Sequence, residues 1–283
     1  MTARIVVVAN MKGGVGKTTT AISLAEASAY FNKRVLVIDL DLQINASMTL
    51  VADRDGAEPW FQDKTVETYL RAKSEKRDIN PLILIEHIGK VDLLSGELSL
   101  LMFERNWLAK SGLVAVAAND MAAWLRQLLA AVETYYDLIV IDTPPGLSLL
   151  TEAAIREAHL IVVPQAPNRL SYQGLQAYST YLTRELRLTS IANKVAVLIN
   201  MDIATKDAKH YSEQIRAQAR QGEFQYRVFQ QTFANTDAFR VAMSRERPEE
   251  FIKLWKTSAE QILAATRELW VFLDQPLQQE PSS

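Results

Sequence analysis

The chain has 283 residues, of which 48% are hydrophobic and 23% charged, and its formal net charge is −2. This composition is typical of a globular protein, and it excludes collagenous, disordered and strongly basic chains. Because there is no cysteine, the chain alone holds no disulfide, thiol nucleophile or Cys-ligated metal cluster. It has no uncharged apolar run of 18 residues and no signal-peptide pattern, so a cytoplasmic location is expected.

The predicted elements begin with a strand, a glycine-rich turn, a helix and a second strand. Residues 4–10 form a β-branched run that is typical of a strand buried on both faces. Glycines follow it, then good helix formers over 18–30, and a second apolar run over 35–39. This order predicts one βαβ unit.

Further apolar runs predict three more strands, with helices between them. Strands alternating with helices favour an α/β fold with a doubly wound, mostly parallel sheet covered on both faces, in a single domain over 1–275. The polar stretch 52–90 is interpreted as a surface insertion and 276–283 as a disordered tail. The predicted strands are 137–142, 160–164 and 195–200, and the predicted helices are 121–134, 172–186 and 248–272.

A glycine-rich loop between a buried strand and a helix is a cradle for phosphate, because backbone N–H groups and the helix N-terminus both attract anions. Gly16-Lys17-Thr18 fits the end of the pattern G-x-x-x-x-G-K-[ST], although Met11 occupies its first glycine position. In this interpretation Lys17 contacts phosphate oxygens and Thr18 binds Mg²⁺. The alternative is a tight turn without a ligand.

Residues 11–19 resemble the deviant Walker A box of the ParA/MinD family of ATPases, because Lys12 stands at the start of the loop. The resemblance implies a Mg²⁺-dependent P-loop ATPase and an ATP-dependent homodimer in which Lys12 reaches the partner's ATP. The alternative for Lys12 is a solvated loop lysine. The implied nucleotide-binding residues are Gly13, Gly14, Val15, Gly16, Lys17, Thr18 and Thr19.

Residues 37–47 are similar to the family's switch I, D-x-D-P-Q-G-N-A-[ST]. Leu42 and Ile44 depart from it, at the usual proline and glycine positions. The resemblance implies that Asp41, together with Lys12 and Lys17, is catalytic and that Asp41 positions the attacking water. A turn or helix-capping role is the alternative for Asp41.

Residues 139–146 resemble the family's Walker B strand and switch II. Asp142 ends an apolar run, where a carboxylate is unfavourable without a cation or strong donors. With Thr18 it is therefore the predicted metal site. Asn200 lies where the family contacts adenine, and a strand-end cap is its alternative role.

Several branches of the family fit the chain poorly. Iron–sulfur members need cysteines, and the sequence has none. Arsenite-type pumps usually duplicate the domain, whereas 283 residues hold one copy, and the tyrosine kinases of this fold carry a C-terminal tyrosine cluster, whereas no tyrosine follows Leu273. MinD ends in a basic membrane helix, but Arg267 is the only basic residue over 258–273. Packing of this helix against the sheet or a second subunit is therefore favoured over membrane binding. A MinD-like membrane-cycling ATPase and a small-molecule ligase remain alternatives.

The resemblance is closest to the ParA-type partition or positioning ATPases. It implies non-specific DNA binding by the dimer, nucleoid association in a bacterium, and hydrolysis stimulated by a ParB-like or other cargo adaptor. Basic residues outnumber acidic ones over 184–256, which suits salt-sensitive phosphate contacts. The candidate contacts are Arg216, Arg220 and Arg245, and a solvated helix face is their alternative.

Overall fold

The computed structural model describes residues 2–51, 63–188, 191–221, 226–244 and 250–274. Within them an eight-stranded sheet has the order β3-β4-β2-β5-β1-β6-β7-β8, with β3 antiparallel to β4 and every other pair parallel. The strands are β1 (Arg4–Val8), β2 (Val35–Asp39), β3 (Glu86–Ile88), β4 (Val91–Leu94), β5 (Leu138–Asp142), β6 (Leu160–Gln165), β7 (Val195–Ile199) and β8 (Arg227–Val228).

Helices cover both faces of the sheet, as the alternating pattern predicts. The helices are α1 (Lys17–Tyr30), α2 (Asn45–Val51), α3 (Val66–Ser74), α4 (Leu100–Ser111), α5 (Val114–Val132), α6 (Leu149–Glu157), α7 (Arg169–Arg184), α8 (Ile191–Lys194), α9 (Lys206–Gln221), α10 (Asp237–Met243), α11 (Phe251–Trp255) and α12 (Ala259–Phe272). One apolar core lies between the sheet and α3 to α7, and the other between the sheet and α1, α2 and α10 to α12. The predicted doubly wound α/β fold is confirmed.

The strands of the sheet centre are mostly apolar because both of their faces are buried, and polar residues lie at their ends. Their parallel register brings several carboxyl ends to one edge, where Asp142 lies opposite Val8 on one side and Asp39 on the other. Loops that follow such ends are where open α/β sheets bind ligands.

The segment 52–90 differs from its prediction as a surface insertion in the part that the structure describes. Residues 63–90 contain α3, a 3₁₀ turn at Pro81–Leu84 and strand β3. Val66, Tyr69 and Leu70 are buried in the core. Their i, i+3, i+4 spacing is a helix signal that the polarity of the surrounding residues obscures. Residues 52–62 lie outside the described residues.

The predicted helix 248–272 is interrupted. Lys256 has a left-handed φ of +47° between α11 and α12, and a 3₁₀ turn, Lys256–Ser258, separates the two helices. Trp255 is fully buried before the break, and its Nε1 donates to Glu26 at 2.9 Å. The predicted tail, 276–283, lies outside the described residues.

Helix α12 packs against α1 within the same chain. Ile262, Leu269 and Trp270 are fully buried, and the Trp270 Nε1 donates to the Ser28 hydroxyl at 3.1 Å. Within the described ranges, none of the helices combines the length and apolarity that a membrane span requires.

A histidine links β1 to the start of the neighbouring strand β6, at the amino ends of the strands and away from the loop of residues 11–19. The Ile5 N–H donates to Nδ1 of His159 at 3.0 Å, so the ring accepts only while Nδ1 is unprotonated. Burial lowers the pKa of His159, and the charges of Arg4 and Lys194 lower it further. The hydrogen bond therefore contributes fully above the pKa of an unfolded histidine, and its contribution is lost as the pH falls toward the folded pKa.

We expect the free energy of unfolding to lose about 1 kcal/mol from this one hydrogen bond on acidification. Urea unfolding near pH 7.5 and near pH 5 measures the free energy of unfolding in the wild type and in His159→Asn. The asparagine can accept the same N–H but does not titrate. Groups other than His159 act equally in both proteins, so parallel pH curves for the two proteins would contradict the prediction.

Candidate functional site

The loop between β1 and α1 is anchored to the neighbouring strand by Asn10. Its Oδ1 accepts the Lys12 N–H at 3.0 Å, and its Nδ2 donates to the Pro164 carbonyl at 2.8 Å and to Gln165 Oε1 at 3.2 Å. The buried side chain therefore fixes the start of the loop against β6.

Two glycines give this loop its path, since Gly14 and Gly16 have φ of +71° and +81°. A Cβ on Gly16 would lie 2.3 Å from Nδ2 of Asn200, so only glycine fits there. Asn200 Nδ2 donates to the Val15 carbonyl at 2.9 Å, so Asn200 braces the loop from the end of β7. The base contact of Asn200 stays a prediction.

Lys17 is buried under the loop, with 6% of its surface exposed. Its Nζ donates to the Lys12 carbonyl at 3.2 Å. Burial lowers the pKa of Lys17, while the nearby carboxylates of Asp142 and Asp41 oppose that shift. A cation held inside a loop of backbone N–H groups suits a phosphate ligand.

Asp142 is fully buried at the end of β5, and neither of its carboxylate oxygens accepts a hydrogen bond within the described residues. Burial, followed by the charge of Asp39, raises the pKa of Asp142 well above its usual range. The nearby Thr18 hydroxyl opposes this rise in pKa, although its geometry toward the Asp142 carboxylate is not that of a hydrogen bond. An unpartnered buried carboxylate fits a cation or a cation-bound water, as predicted for Thr18 and Asp142.

Asp39 is a site residue that the sequence pattern did not single out. Its carboxylate accepts from the Asp41 N–H at 3.0 Å and from the Ser47 N–H and hydroxyl at 2.9 and 2.7 Å. Burial raises its pKa to about 6 despite these donors. Its signal in the sequence was a carboxylate ending an apolar strand, as at Asp142.

Asp41 is buried beside this carboxylate, with 5% of its surface exposed. Its Oδ1 accepts the Gln43 N–H at 3.0 Å, the turn geometry that was the alternative for this residue. That contact uses one oxygen and is compatible with a role in orienting water, which stays a prediction.

Lys12 makes a specific contact in place of solvation. Its Nζ donates at 2.9 Å to the hydroxyl of Ser171, a buried residue in the first turn of α7. The loop lysine is thus held within its own chain in this structure.

A cavity of about 300 Å³ opens beside the loop. Its size and its mixture of amide, hydroxyl and apolar groups suit a flat heteroaromatic ring. It is lined by Gly16, Thr19, Asn200, Met201, Ala234, Asn235, Thr236, Phe239, Arg240, Met243 and Ser244.

The structure changes the assignment of one predicted DNA contact. The Arg216 guanidinium donates to the carbonyls of Phe229 at 2.8 Å and Gln230 at 3.1 Å, so it ties α9 to the segment after β8. Arg216 therefore has a structural role, and its contact with DNA phosphate stays a prediction. Arg220 remains a candidate on α9, and Arg245 lies outside the described residues.

A mostly parallel sheet with a glycine loop before a buried lysine and a threonine defines a P-loop nucleotide-binding protein. A family model described as an AAA domain matches residues 3–195, more than half of the chain. The protein belongs to this family, within the ParA/MinD group of P-loop ATPases.

Two relatives illustrate the similarity. The chain is 27% identical to the chromosome partitioning protein ParA of Myxococcus xanthus, over 94% of this chain and 87% of that protein. It is 31% identical to the sporulation initiation inhibitor protein Soj of Bacillus subtilis, over 61% of this chain and 62% of Soj. The match thus spans less than two thirds of Soj.

Two solved structures share the fold. Apo McdA from Cyanothece superposes with a TM-score of 0.74 at 20% identity, covering 94% of this chain and 98% of that one. A cobyrinic acid a,c-diamide synthase from Mycobacterium smegmatis, with bound ADP and magnesium, gives 0.71 at 22% identity, covering 95% and 94%. McdA and the synthase therefore share the fold of this chain.

Proposed function

We propose that this protein binds and hydrolyses ATP with Mg²⁺ at the loop of residues 11–19. The observation that carries the proposal is the fully buried, unpartnered carboxylate of Asp142 beside the buried cation of Lys17. The carboxylate of Asp142 suits Mg²⁺ and the ammonium of Lys17 suits phosphate. Mg²⁺ bound to nucleotide phosphates keeps several waters and takes few protein ligands. The cavity behind Gly16 would take the adenine, with Asn200 at its wall.

In this mechanism each residue acts on the phosphate oxygens or on water. The loop N–H groups and Lys17 hold the β- and γ-phosphates, and Asp41 orients a water toward the γ-phosphorus. Thr18 and, through water, Asp142 would hold Mg²⁺, which would supply positive charge to the phosphate oxygens. Lys12 would leave Ser171 and reach the partner's ATP in a sandwich dimer.

We further propose that the ATP-bound homodimer binds DNA non-specifically and positions a cargo on a bacterial nucleoid. A ParB-like or other cargo adaptor would stimulate hydrolysis and release the dimer. Membership of the ParA/MinD group supports this cycle. Arg220, on the exposed part of α9, is the basic candidate within the described residues.

The MinD-like alternative requires an apolar helix face available to a membrane. The apolar face of α12 is buried against α1, so this helix does not offer such a face in the structure. The ligase alternative rests on the fold it shares with the synthase, and the fold alone does not choose a substrate.

The test measures fluorescence anisotropy of a random-sequence DNA duplex with ATP, with ADP and without nucleotide, at two salt concentrations. Salt-sensitive binding with ATP alone is expected, lost in Lys12→Ala and weakened in Arg220→Ala. The matched control is Arg126→Ala, because that guanidinium is paired with Glu157. Absence of DNA binding with every nucleotide would exclude nucleoid binding, and ATP-dependent sedimentation with anionic liposomes would then favour the membrane alternative.

A further inference from the structure

Ile44 begins helix α2 in a conformation that its side chain disfavours. Its φ is +49°, in the left-handed region, where a β-branched residue is a true outlier. Its carbonyl accepts the first helical hydrogen bond, from the Met48 N–H at 2.8 Å. Isoleucine is a poor residue at a helix start because it offers no side-chain acceptor. Two local preferences are therefore overridden here, as occurs at functional sites.

The carboxylates of the nucleotide site impose this conformation. Asp39 accepts from the Asp41 N–H and from the Ser47 N–H and hydroxyl, which closes the intervening loop. The Ile44 N–H donates to the Asp41 carbonyl at 2.9 Å inside that loop. These hydrogen bonds fix the loop at both ends and across its middle, and Ile44 occupies the turn where the backbone is left-handed.

The Ile44 side chain lies against Gly96 in the turn after β4. A Cβ on Gly96 would lie 3.2 Å from Cγ2 of Ile44 and 2.9 Å from the Asp39 carbonyl oxygen, so the two segments meet at a close backbone approach. The Gly96 N–H also donates to the Ser47 hydroxyl at 3.1 Å. The apolar contact and this hydrogen bond join the same two segments.

We propose that Ile44 is a positioning residue for Asp41: its methyl contact with Gly96 holds the loop of residues 39–47 in place against the strain at its own backbone. This inference rests on the proposed ATP hydrolysis, in which Asp41 orients the water. Glycine is the usual residue at this position of switch I, but in this chain the substitution also removes the side chain that lies against Gly96. The loop then moves more freely and Asp41 is less well placed.

The test compares Ile44→Gly with Ile44→Val, which keeps the β-branch and a methyl toward Gly96. Met48→Ala is the matched control, since Met48 lies on the same helix and is 41% exposed. We expect kcat for ATP to fall about tenfold in the glycine variant, with ATP affinity unchanged and the valine variant close to wild type. A merely structural role would instead lower ATP affinity and melting temperature together with kcat in the glycine variant.

Amide hydrogen exchange of the nucleotide-free protein supplies a readout that does not depend on hydrolysis. The N–H groups of Gln43, Ser47 and Met48, which donate within this loop, should exchange faster in the glycine variant only. Unchanged exchange, or an unchanged kcat, in that variant would overturn the inference. A wild type that neither binds nor hydrolyses ATP would overturn the proposed function, and the exchange comparison would still decide whether Ile44 fastens the loop.

Discussion

Replacing Asp142 with asparagine is expected to stabilise the nucleotide-free protein while it removes most ATP hydrolysis. The fully buried carboxylate lacks a hydrogen-bond partner within the described residues, and burial raises its pKa. We expect a gain of about 1–3 kcal/mol in unfolding free energy near pH 8. The gain should shrink toward lower pH, because the wild-type carboxyl then becomes protonated and neutral. Urea unfolding without nucleotide at several pH values measures it.

The same substitution should lower the hydrolysis rate with Mg²⁺ and ATP about 100-fold or more, because a neutral amide no longer attracts the cation. The matched control is Asp137→Asn. Arg34 holds Asp137, whose pKa is lowered, so that variant should lose stability where Asp142→Asn gains it. A loss of stability in Asp142→Asn at every pH would show that the carboxylate has a stabilising partner.

Replacing Lys17 with methionine is expected to weaken ATP binding about 100-fold or more, whereas the nucleotide-free protein should lose little stability. Burial of the ammonium lowers the pKa of Lys17 and the charges of Asp142 and Asp41 oppose that shift, so the substitution removes a buried charge together with its attraction to the two carboxylates. Titration with a fluorescent ATP analogue and urea unfolding measure the two effects. The control is Lys64→Met, whose ammonium pairs with Glu86 away from the loop.

A double-mutant cycle separates this charge effect from lost packing. Lys17→Met should cost less when Asp142 is already asparagine, with a coupling of about 1–3 kcal/mol in unfolding free energy. Additive effects of the two substitutions would mean that the charges do not interact in the nucleotide-free protein. ATP binding should stay weak in the double variant, because the phosphate-binding cation is absent.

Much of the sheet was predictable because parallel strands buried on both faces leave continuous apolar runs. The predicted strand 137–142 matches β5 to within one residue. Strand β3, with three residues, and β8, with two, lie at the sheet edges and leave almost no pattern. The break at Lys256 also escaped prediction, since it follows from the packing of Trp255 against α1 and not from a proline or glycine.

Some residues of the candidate site could be identified from local sequence spacing, and others only from their tertiary contacts. Lys12, Lys17 and Thr18 were identified from sequence because a phosphate loop needs its residues at fixed spacing along the chain. Asp39 was not, because its importance lies in donors that the fold brings to it, from Asp41 and Ser47. Arg216 was assigned to DNA from its spacing on a helix, whereas its contacts with carbonyls across the fold give it a structural role.

The sequence by itself determined the five strands at the centre of the sheet, the family and the phosphate loop, because each depends on local spacing and apolar runs. Only the tertiary structure decided that Asp142 is left without a partner, that Lys12 binds Ser171, and that Ile44 is held left-handed against Gly96. These features join segments far apart in the chain. Their burial and hydrogen bonds exist only once the parallel sheet has brought its carboxyl ends together.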